Sequence, residues 1–296
     1  IKEKPKRGRG RPPKAENVAV TENVQTQTKP ARRGRPPKNP RTLEEQNEQI
    51  KLDVLPGFED IEDDDEQDIN SLNAIEENAN IKKIVICEDC IKDEGIDKEL
   101  LYKISKYECI YVSQKVFASI TNVGTPQGIL AVIEKDANNF NINYNEDLIV
   151  VLDGIQDPGN LGTILRTVDS VNLKQIIISS KTADPYNPKV VRSTMGAIFR
   201  IKIIETSDLI QSIKEMRKHH FKLMVTSLQT DNSIYDIEFN KKIIVIGNES
   251  NGVSKEIQDM ADEKAKIPML GKTESLNASV AAGIVMYEYV RQKLGK

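Results

Sequence analysis

Three polar loops carry the side chains best suited to chemistry, and each follows a run of apolar residues. They are DPGNLGTILRT (157–167), GNESNGVS (247–254) and IPMLGKTESLNASVAAG (267–283). Glycines let the backbone approach a ligand closely, while asparagine, glutamate and serine supply directional hydrogen bonds. The first loop also brings Arg166. Because a guanidinium holds its proton firmly, this residue is suited to gripping an anion rather than to carrying protons.

The elements that must position these loops alternate along residues 147–294. Apolar runs that read as strands are 148–155, 175–179, 199–204, 222–228, 242–248 and 265–270, and the helical stretches are 161–171, 187–198, 207–218, 254–262 and 275–294. Such strands, separated by helices, indicate an α/β fold with a parallel sheet covered on both faces. Ligands of these sheets bind beyond the carboxyl ends of the strands, where all three loops are expected.

Two nucleotide-binding motifs are absent from the sequence. No G-x-G-x-x-G follows the first strand of this body, and no Walker loop is present. Neither a standard dinucleotide site nor a P-loop is therefore indicated.

In their order and spacing, the three loops together resemble the signature motifs of the SpoU/TrmH family within the SPOUT superfamily. TPQGILAVIEK (125–135) adds a resemblance to the ribosomal-protein-like substrate-binding domain that precedes the catalytic domain in this family. The resemblance implies a SPOUT methyltransferase domain with a deep trefoil knot, a homodimer, and S-adenosyl-L-methionine as cofactor. The implied reaction is methyl transfer to a ribose 2′-hydroxyl of RNA, with 23S ribosomal RNA favoured over transfer RNA.

The resemblance also implies catalytic roles for residues of the first two motifs. Arg166 matches the catalytic arginine, and we expect it to hold the phosphate beside the target hydroxyl, with direct proton acceptance as a second possibility. Asn160 matches the asparagine of the first motif, although asparagine is also well suited to capping a helix. Glu249 matches the acid of the second motif and would accept hydrogen bonds from Arg166 or a ribose; a salt bridge within the loop is the alternative.

The third motif and the cofactor-binding positions follow in the same way. Ser275 and Asn277 match polar positions at a helix N-terminus, where they would meet a substrate oxygen or the cofactor carboxylate, with helix capping as the alternative. The residues expected to bind the cofactor are Thr226, Gly247, Gly252, Ile267 and Leu276. Of these, Ile267 and Leu276 are equally suited to a plain apolar core.

Residues 81–136 read as a small α/β domain, and the resemblance implies that this domain binds the RNA substrate. Its predicted strands are 81–87, 109–113 and 128–135, and its predicted helices are 97–107 and 114–121. The apolar strand ending in Val-Glu-Gly that opens this domain in the family has no counterpart, and SLNAIEENAN (71–80) reads as a remnant of the helix that follows it. We therefore expect a domain whose edge is incomplete or rebuilt.

The remaining N-terminal residues separate by charge. Residues 1–41 contain thirteen Lys or Arg and three Glu, whereas residues 42–80 contain one Lys and fourteen Asp or Glu. RGRGRPPK (7–14) and RRGRPPK (32–38) resemble AT-hooks, in which arginine enters a narrow minor groove. The sequence thus predicts a disordered basic tail (1–41) that contacts DNA or RNA, and an acidic linker (42–80).

The three cysteines are too few for a disulfide framework. Cys87 and Cys90 form one C-x-x-C, and no second pair accompanies it, so we expect thiols rather than a zinc or redox site, and no metal. There is neither an apolar run of about 18 residues nor an apolar segment near the start. A cytoplasmic protein without a membrane partner is therefore expected.

Two interpretations of the whole chain differ in class. The first is an RNA 2′-O-methyltransferase. The second is a non-catalytic nucleic-acid-binding protein that uses the basic tail and retains an inactive methyltransferase body. The presence of Arg166 and Asn160 favours the enzyme. The small residues of 278–290 suit either a dimer face or close packing on the sheet.

Overall fold

A computed structural model describes residues 70–91, 98–121, 128–135 and 141–295 of the 296. The predictions for the basic tail and for residues 42–69 of the acidic linker lie outside these ranges. Within them, no helix combines the length and the apolar character needed to cross a bilayer.

The first described elements build a three-stranded sheet with helices around it. They are α1 (Asn70–Glu76), β1 (Ile81–Ile86), α2 (Lys98–Ile104), β2 (Cys109–Tyr111), α3 (Gln114–Ile120) and β3 (Ile129–Ile133). The strand order is β2-β1-β3, with β1 parallel to β2 and antiparallel to β3. The strands and helices predicted within 81–135 are confirmed in kind, and α1 confirms the helix expected within 71–80.

The expectation that Cys87 and Cys90 remain thiols is wrong, because the structure joins them in a disulfide. A 3-10 turn follows β1, and its backbone bond from Cys90 N to Cys87 O (3.1 Å) folds the chain back on itself. The two Cα atoms come within 5.4 Å as a result, which is ordinary disulfide spacing.

A second sheet carries the three polar loops. Its strands are β4 (Leu148–Asp153), β5 (Gln175–Ser179), β6 (Lys202–Thr206), β7 (Lys222–Thr226), β8 (Lys242–Gly247) and β9 (Glu263–Ala265). Their order is β6-β5-β4-β8-β7-β9, and every neighbouring pair is parallel, as predicted. Asp153 pairs with Gly247, so the loops that follow β4 and β8 leave the sheet side by side.

Helices cover both faces of this sheet: α4 (Pro158–Ser170), α5 (Pro188–Ser193), α6 (Leu209–Lys218), α7 (Lys255–Met260) and α8 (Ala278–Lys293). Alternate residues of β4 enter two separate cores. Val150 and Leu152 pack in the core that includes α4, α5 and α8, whereas Ile149 and Val151 pack in the core that includes α6 and α7. This alternation explains why a parallel strand reads as one continuous apolar run.

Two predictions around α5 need correction. The helix predicted over 187–198 ends at Ser193, because Met195 (φ 50°) and Gly196 (φ 82°) adopt left-handed backbone that a right-handed helix does not accommodate. The strand predicted over 199–204 begins only at Lys202, after a 3-10 turn at Ala197–Phe199.

The strand predicted over 265–270 also needs correction. β9 ends at Ala265, and Ile267 and Met269 line a cavity instead of continuing the sheet. The apolar run in the sequence therefore reflects two environments, an edge strand and a cavity wall, which periodicity alone does not separate.

Arg200 ties the small sheet to the larger one. Its Nη1 lies 2.8 Å from Glu77 Oε1, just beyond α1, and its Nε donates to Asp169 Oδ2 in α4 (2.9 Å). The neighbouring Phe199 packs against the apolar core of the small sheet. Ion pairing and apolar packing thus hold both parts of residues 70–295 in one arrangement.

A buried ion pair fixes β9 at the edge of the sheet. The Lys242 side chain is 3% exposed, and its Nζ lies 2.6 Å from Glu263 Oε2. We expect Glu263→Gln to lower the free energy of unfolding by about 3 kcal/mol, since it leaves a buried ammonium without its anion. Urea unfolding at pH 7 measures this loss. The Lys242→Met/Glu263→Gln variant should recover most of it, and an equal loss in both variants would contradict the explanation.

Candidate functional site

The first loop places Asn160 at the start of α4 with its side chain available for other contacts. Asp157, not Asn160, caps this helix, because Asp157 Oδ1 accepts from Asn160 N at 2.7 Å. Pro158 occupies the first helical turn, where a missing N–H costs nothing. The capping alternative for Asn160 is therefore incorrect, and its buried amide points toward the other two loops.

The second loop closes on itself directly after β8. Asn248 and Gly252 exchange two backbone bonds of 3.0 and 2.8 Å. A Cβ on Gly247 would overlap the backbone of Gly252 and Val253, so only glycine fits there. Asn248 Nδ2 also donates to Gly154 O (2.8 Å), which fastens the second loop to the first.

Asp153 supplies a further anchor. This buried residue ends β4, and its Oδ2 accepts from Ser254 N at 2.8 Å. The bond holds the far end of the second loop against the end of β4. The contact joins residues 101 positions apart, and the sequence interpretation, which read Asp153 as part of a strand, did not find it.

A chain of hydrogen bonds links all three loops through two amides. Asn160 Nδ2 donates to Glu249 Oε1 (2.9 Å), and Asn277 Nδ2 donates to Asn160 Oδ1 (2.9 Å). Asn277 Oδ1 in turn accepts from the backbone of Ser279 (2.9 Å) and Val280 (3.3 Å), so Asn277 caps α8. Each amide donates in the direction of the carboxylate, which gives the chain one polarity from α8 to Glu249.

The carboxylate of Glu249 is held by the first loop and not by arginine. Besides Asn160, it accepts from the backbone N–H groups of Gln156 and Asp157, each at 3.3 Å. The expected bond from Arg166 is not present, and Arg166 makes no hydrogen bond or ion pair with any described residue. Neither the arginine contact nor the salt-bridge alternative therefore describes Glu249 in this structure.

These contacts lower the pKa of Glu249. Desolvation of the carboxyl group would raise the pKa, but hydrogen bonds from the Asn160 side chain and from the backbone of Glu249, Gln156 and Asp157 outweigh it. The folded pKa is below the ordinary value near 4.5, so the contribution of these bonds to stability is complete above that pH. It is lost as the pH falls through the folded value.

We therefore expect Glu249→Gln to remove a pH-dependent part of the stability. At pH 7 the variant should have a lower free energy of unfolding than the unchanged protein, because the Gln amide nitrogen replaces one of the two accepting oxygens and presents N–H groups to an N–H donor. The difference should shrink below about pH 4.5. Urea unfolding between pH 7 and pH 3.5 measures it, and other carboxylates titrate alike in both proteins. A difference that stays constant over this range would refute the assignment.

A cavity of about 610 Å³ lies between the second loop, the third loop and the segment after β7. It is lined by all five residues expected to bind a cofactor, Thr226, Gly247, Gly252, Ile267 and Leu276, and by three of the five expected catalytic residues, Glu249, Ser275 and Asn277. Asn160 is bonded to two of these residues without lining the cavity itself. Arg166 does not belong to the lining; it is exposed on α4.

Several lining residues were missed by the sequence interpretation. They include Asn248 and Gln258 from the second loop and α7, and Leu228 and Gln229 from the segment after β7. Gln258 Nε2 donates to Val253 O (2.7 Å) and so supports the second loop from behind. Their position in the sequence could have identified all of them except Gln258. Asn248 follows β8, and Leu228 and Gln229 lie shortly after β7, and these strands end at the same edge of the sheet.

Comparison with known proteins gives one consistent result. The sequence model of the SpoU rRNA Methylase family matches residues 147–287. The Bacillus subtilis protein named 23S rRNA (guanosine(2553)-2′-O)-methyltransferase RlmP is 31% identical over 212 residues, which are 68% of this chain and 84% of that protein.

Two solved structures are similar over most of the described fold. SpoU methyltransferase AviRb from Streptomyces viridochromogenes, in complex with the cofactor AdoMet, has a TM-score of 0.65 and 25% identity, covering 77% of this chain and 88% of its own. An AdoMet-bound rRNA methyltransferase from Sinorhizobium meliloti has a TM-score of 0.65 and 28% identity, covering 76% and 85%. The motifs, the fold and these similarities agree: the chain belongs to the SpoU/TrmH family of RNA methyltransferases.

Proposed function

We propose that this protein transfers a methyl group from S-adenosyl-L-methionine to a ribose 2′-hydroxyl of ribosomal RNA. The observation that carries the proposal is a cavity lined by the second and third motif loops, to which Asn160 of the first loop is hydrogen-bonded, in a chain similar to a 23S rRNA 2′-O-methyltransferase. Among the described residues no group of three or more His, Cys, Asp or Glu is placed to hold a metal ion. The proposed reaction relies on positioning of the substrate and on the cofactor.

The cavity lining suits this cofactor. Gly247 and Gly252 present bare backbone, Ile267 and Leu276 add apolar surface, and Thr226 commits its hydroxyl to Val245 O (3.1 Å). Backbone N–H and carbonyl groups can then meet the polar ends of the cofactor while side chains enclose its apolar parts. When bound, the cofactor supplies the electrophilic sulfonium methyl.

The chain itself has to orient the acceptor hydroxyl. Arg166 is suited to grip the adjacent phosphate through its planar fork of donors. Ser275 lines the cavity and makes no hydrogen bond with any described residue, so its hydroxyl is available to a substrate or cofactor oxygen. Holding the hydroxyl in line with the methyl group accounts for much of the rate enhancement, because the entropy lost in orienting the two groups is then lost on binding and not in the chemical step.

Asn160, Glu249 and Asn277 take a different role in this proposal from the one that their motif positions suggest. Their side-chain oxygens and amides are occupied with one another and with backbone groups, at 2.9 Å for both amide links. We assign them to holding the three loops in register around the cavity. They are thus positioning residues for the cofactor and the substrate.

A homodimer is the assembly that best completes the site. Arg166 lies on α4 between Gly162, which packs on α5, and Ser170, whose Oγ is 3.4 Å from Tyr287 OH on α8. Val280 and Tyr287 leave apolar surface exposed on α8. A second copy seated on α4 and α8 would cover this surface and would bring each Arg166 toward the cavity of the other copy.

Three further features of the family belong to the proposal. The trefoil knot is supported by the backbone bonds that Lys266 makes with Asn232 (2.9 Å) and Ile234 (3.0 Å), which draw the third loop against an earlier segment. The small sheet is assigned to RNA binding on the resemblance of residues 125–135. A cytoplasmic location follows from the ribosomal RNA substrate.

A methylation assay tests the function directly. The full chain is incubated with a 23S rRNA transcript and methyl-labelled S-adenosyl-L-methionine, with a transfer RNA mixture in parallel. We expect label in ribosomal RNA, recovered in alkali-resistant dinucleotides because a 2′-O-methyl group blocks hydrolysis. Label confined to transfer RNA would refute the substrate class. Cofactor binding in calorimetry without any label would favour the non-catalytic interpretation.

A further inference from the structure

A group of basic side chains borders the first motif without belonging to it. We call it the α5 surface, and it consists of Lys181, Lys189 and Arg192 together with Lys135 at the end of the small sheet. Lys135, Lys181 and Lys189 are exposed and Arg192 is half-buried. None of the four forms an ion pair with a described residue. Unpaired cations gathered in this way are suited to a polyanion rather than to stabilising the fold.

The backbone places this surface directly against the first motif. Gly154 N donates to Ser179 Oγ (3.0 Å) and Ala183 N donates to Ile155 O (2.8 Å), so the loop that carries Lys181 rests on the turn after β4. That loop is the segment leading from β5 into α5. The carboxyl end of β5 and the first motif therefore share one edge of the sheet.

The crossing of α4 and α5 relates the basic side chains to Arg166. A Cβ on Gly162 would overlap Ser193 Cβ and lie 3.0 Å from Val190 O, so the two helices meet at Gly162 with almost no gap. Arg166 is one turn beyond this contact on α4, and Lys189 is one turn from Ser193 on α5. Each lies within about 6 Å of the crossing along its own helix.

The local charge is one-sided. Residues 180–193 contain three cations and a single acid, Asp184. The Asp184 carboxylate accepts from Tyr186 N (2.9 Å), so it caps its own turn. Lys135 lies over the Tyr186 ring, 4.3 Å from the centroid, and adds a cation from the small sheet. A path of positive charge thus leads from the small sheet along α5 to Arg166.

We propose that the α5 surface binds the RNA phosphates that flank the target nucleotide, while Arg166 takes the phosphate at the target itself. This inference rests on the proposed function and names the part of the RNA that α5 contacts. The partner is the sugar–phosphate backbone and not a base edge. The surface therefore contributes affinity without sequence preference and delivers the strand to the cavity.

The test compares two matched double variants of the full chain. Lys189→Gln/Arg192→Gln removes two charges from the α5 surface. Lys214→Gln/Lys222→Gln removes two exposed charges on α6 and at the start of β7, which form no ion pair with a described residue and lie away from this edge. Binding to a labelled 23S rRNA transcript is measured from 50 to 300 mM salt, without turnover, and the KM for RNA is measured with saturating cofactor.

We expect the α5 variant to weaken RNA binding about tenfold at low salt and to reduce the salt slope by about 1.5, the value for two lost phosphate contacts. Its affinity for S-adenosyl-L-methionine and its kcat at saturating RNA should stay unchanged, and so should every property of the control variant. If Arg192→Gln lowers the melting temperature, Lys181→Gln/Lys189→Gln, with both side chains exposed, replaces it.

The remaining outcomes contradict the proposal. If the α5 variant has the same salt slope as the control variant, the α5 surface makes no phosphate contact. A loss of kcat with unchanged RNA binding would assign the residues to the fold of the site instead. Because binding is measured without turnover, a protein that binds RNA through α5 but methylates nothing would refute only the proposed function.

Discussion

Arg166→Ala is expected to reduce methyl transfer about 10³-fold while leaving S-adenosyl-L-methionine binding unchanged. The guanidinium is exposed, makes no hydrogen bond or ion pair with a described residue, and does not line the cavity of its own chain, so its removal should disturb neither the fold nor the cofactor site. Removing a contact that acts mainly in the transition state lowers the rate by about 10²–10³. Without the phosphate contact, the acceptor hydroxyl is also less well oriented. Single-turnover rates and calorimetric cofactor affinity measure the two quantities.

Arg166→Lys separates the two roles open to this residue. If the arginine grips a phosphate, lysine keeps the charge but loses the bidentate fork, and a reduced rate with an unshifted pH profile is expected. If it accepts the proton, the variant's profile moves toward the lower ordinary pKa of lysine, about 10.4. Lys214→Ala, which removes an exposed cation on α6, serves as the control. Wild-type rates in Arg166→Ala would rule out both roles.

The sequence predicted the parallel sheet well because its strands are buried on both faces. β4 is apolar at every position before Asp153, and the same density recurs in β5 and β8. Where one run of letters spans more than one environment, as at 265–270, the same reasoning extended the strand too far. Apolar residues do not imply burial there, since Ile267 and Met269 line the cavity and Leu270 is fully exposed.

The sequence predicted residues that share one cavity but did not predict their contacts. The resemblance of the motifs led to eight of the residues that line the cavity. The bonds from Asn160 to Glu249 and Asn277 join positions 89 and 117 residues apart, and nothing local selects such partners over a helix cap or an arginine. Asp153 was missed for the same reason. In the sequence, a strand-end carboxylate that faces solvent cannot be distinguished from one that holds a neighbouring loop.

The polar chain also explains why the site needs three loops instead of one. Each amide has both a donor and an acceptor in use, so a shift of any loop breaks bonds on both sides of it. The buried Asn160 amide would cost about 1–3 kcal/mol if it lost its partners, which disfavours intermediate positions of the loops. The shape of the cavity therefore depends on how firmly each loop is held. The backbone at Gly247 tolerates an added side chain least.

Gly247→Ala is expected to weaken S-adenosyl-L-methionine binding about 100-fold. The added methyl group would overlap the Gly252 carbonyl carbon and Val253 N, both backbone atoms held by the closed turn that Asn248 forms with Gly252. Such atoms do not move aside as a flexible side chain would. The second loop must shift, which takes Asn248 and Glu249 from their partners in the first loop. Overpacking of this kind costs about 1–3 kcal/mol or more, which corresponds to one to two orders of magnitude in affinity.

The matched control is Gly271→Ala in the third loop, where an added Cβ meets nothing within 4 Å. It should bind the cofactor as the unchanged protein does, whereas Gly247→Ala should lose both binding and methylation. Calorimetry gives the affinities, and thermal unfolding without cofactor shows whether the variant remains folded. Undiminished binding in Gly247→Ala would mean that the second loop tolerates displacement. In that case the bonds from Asn160 and Gly154 would not be what sets the geometry of the cavity.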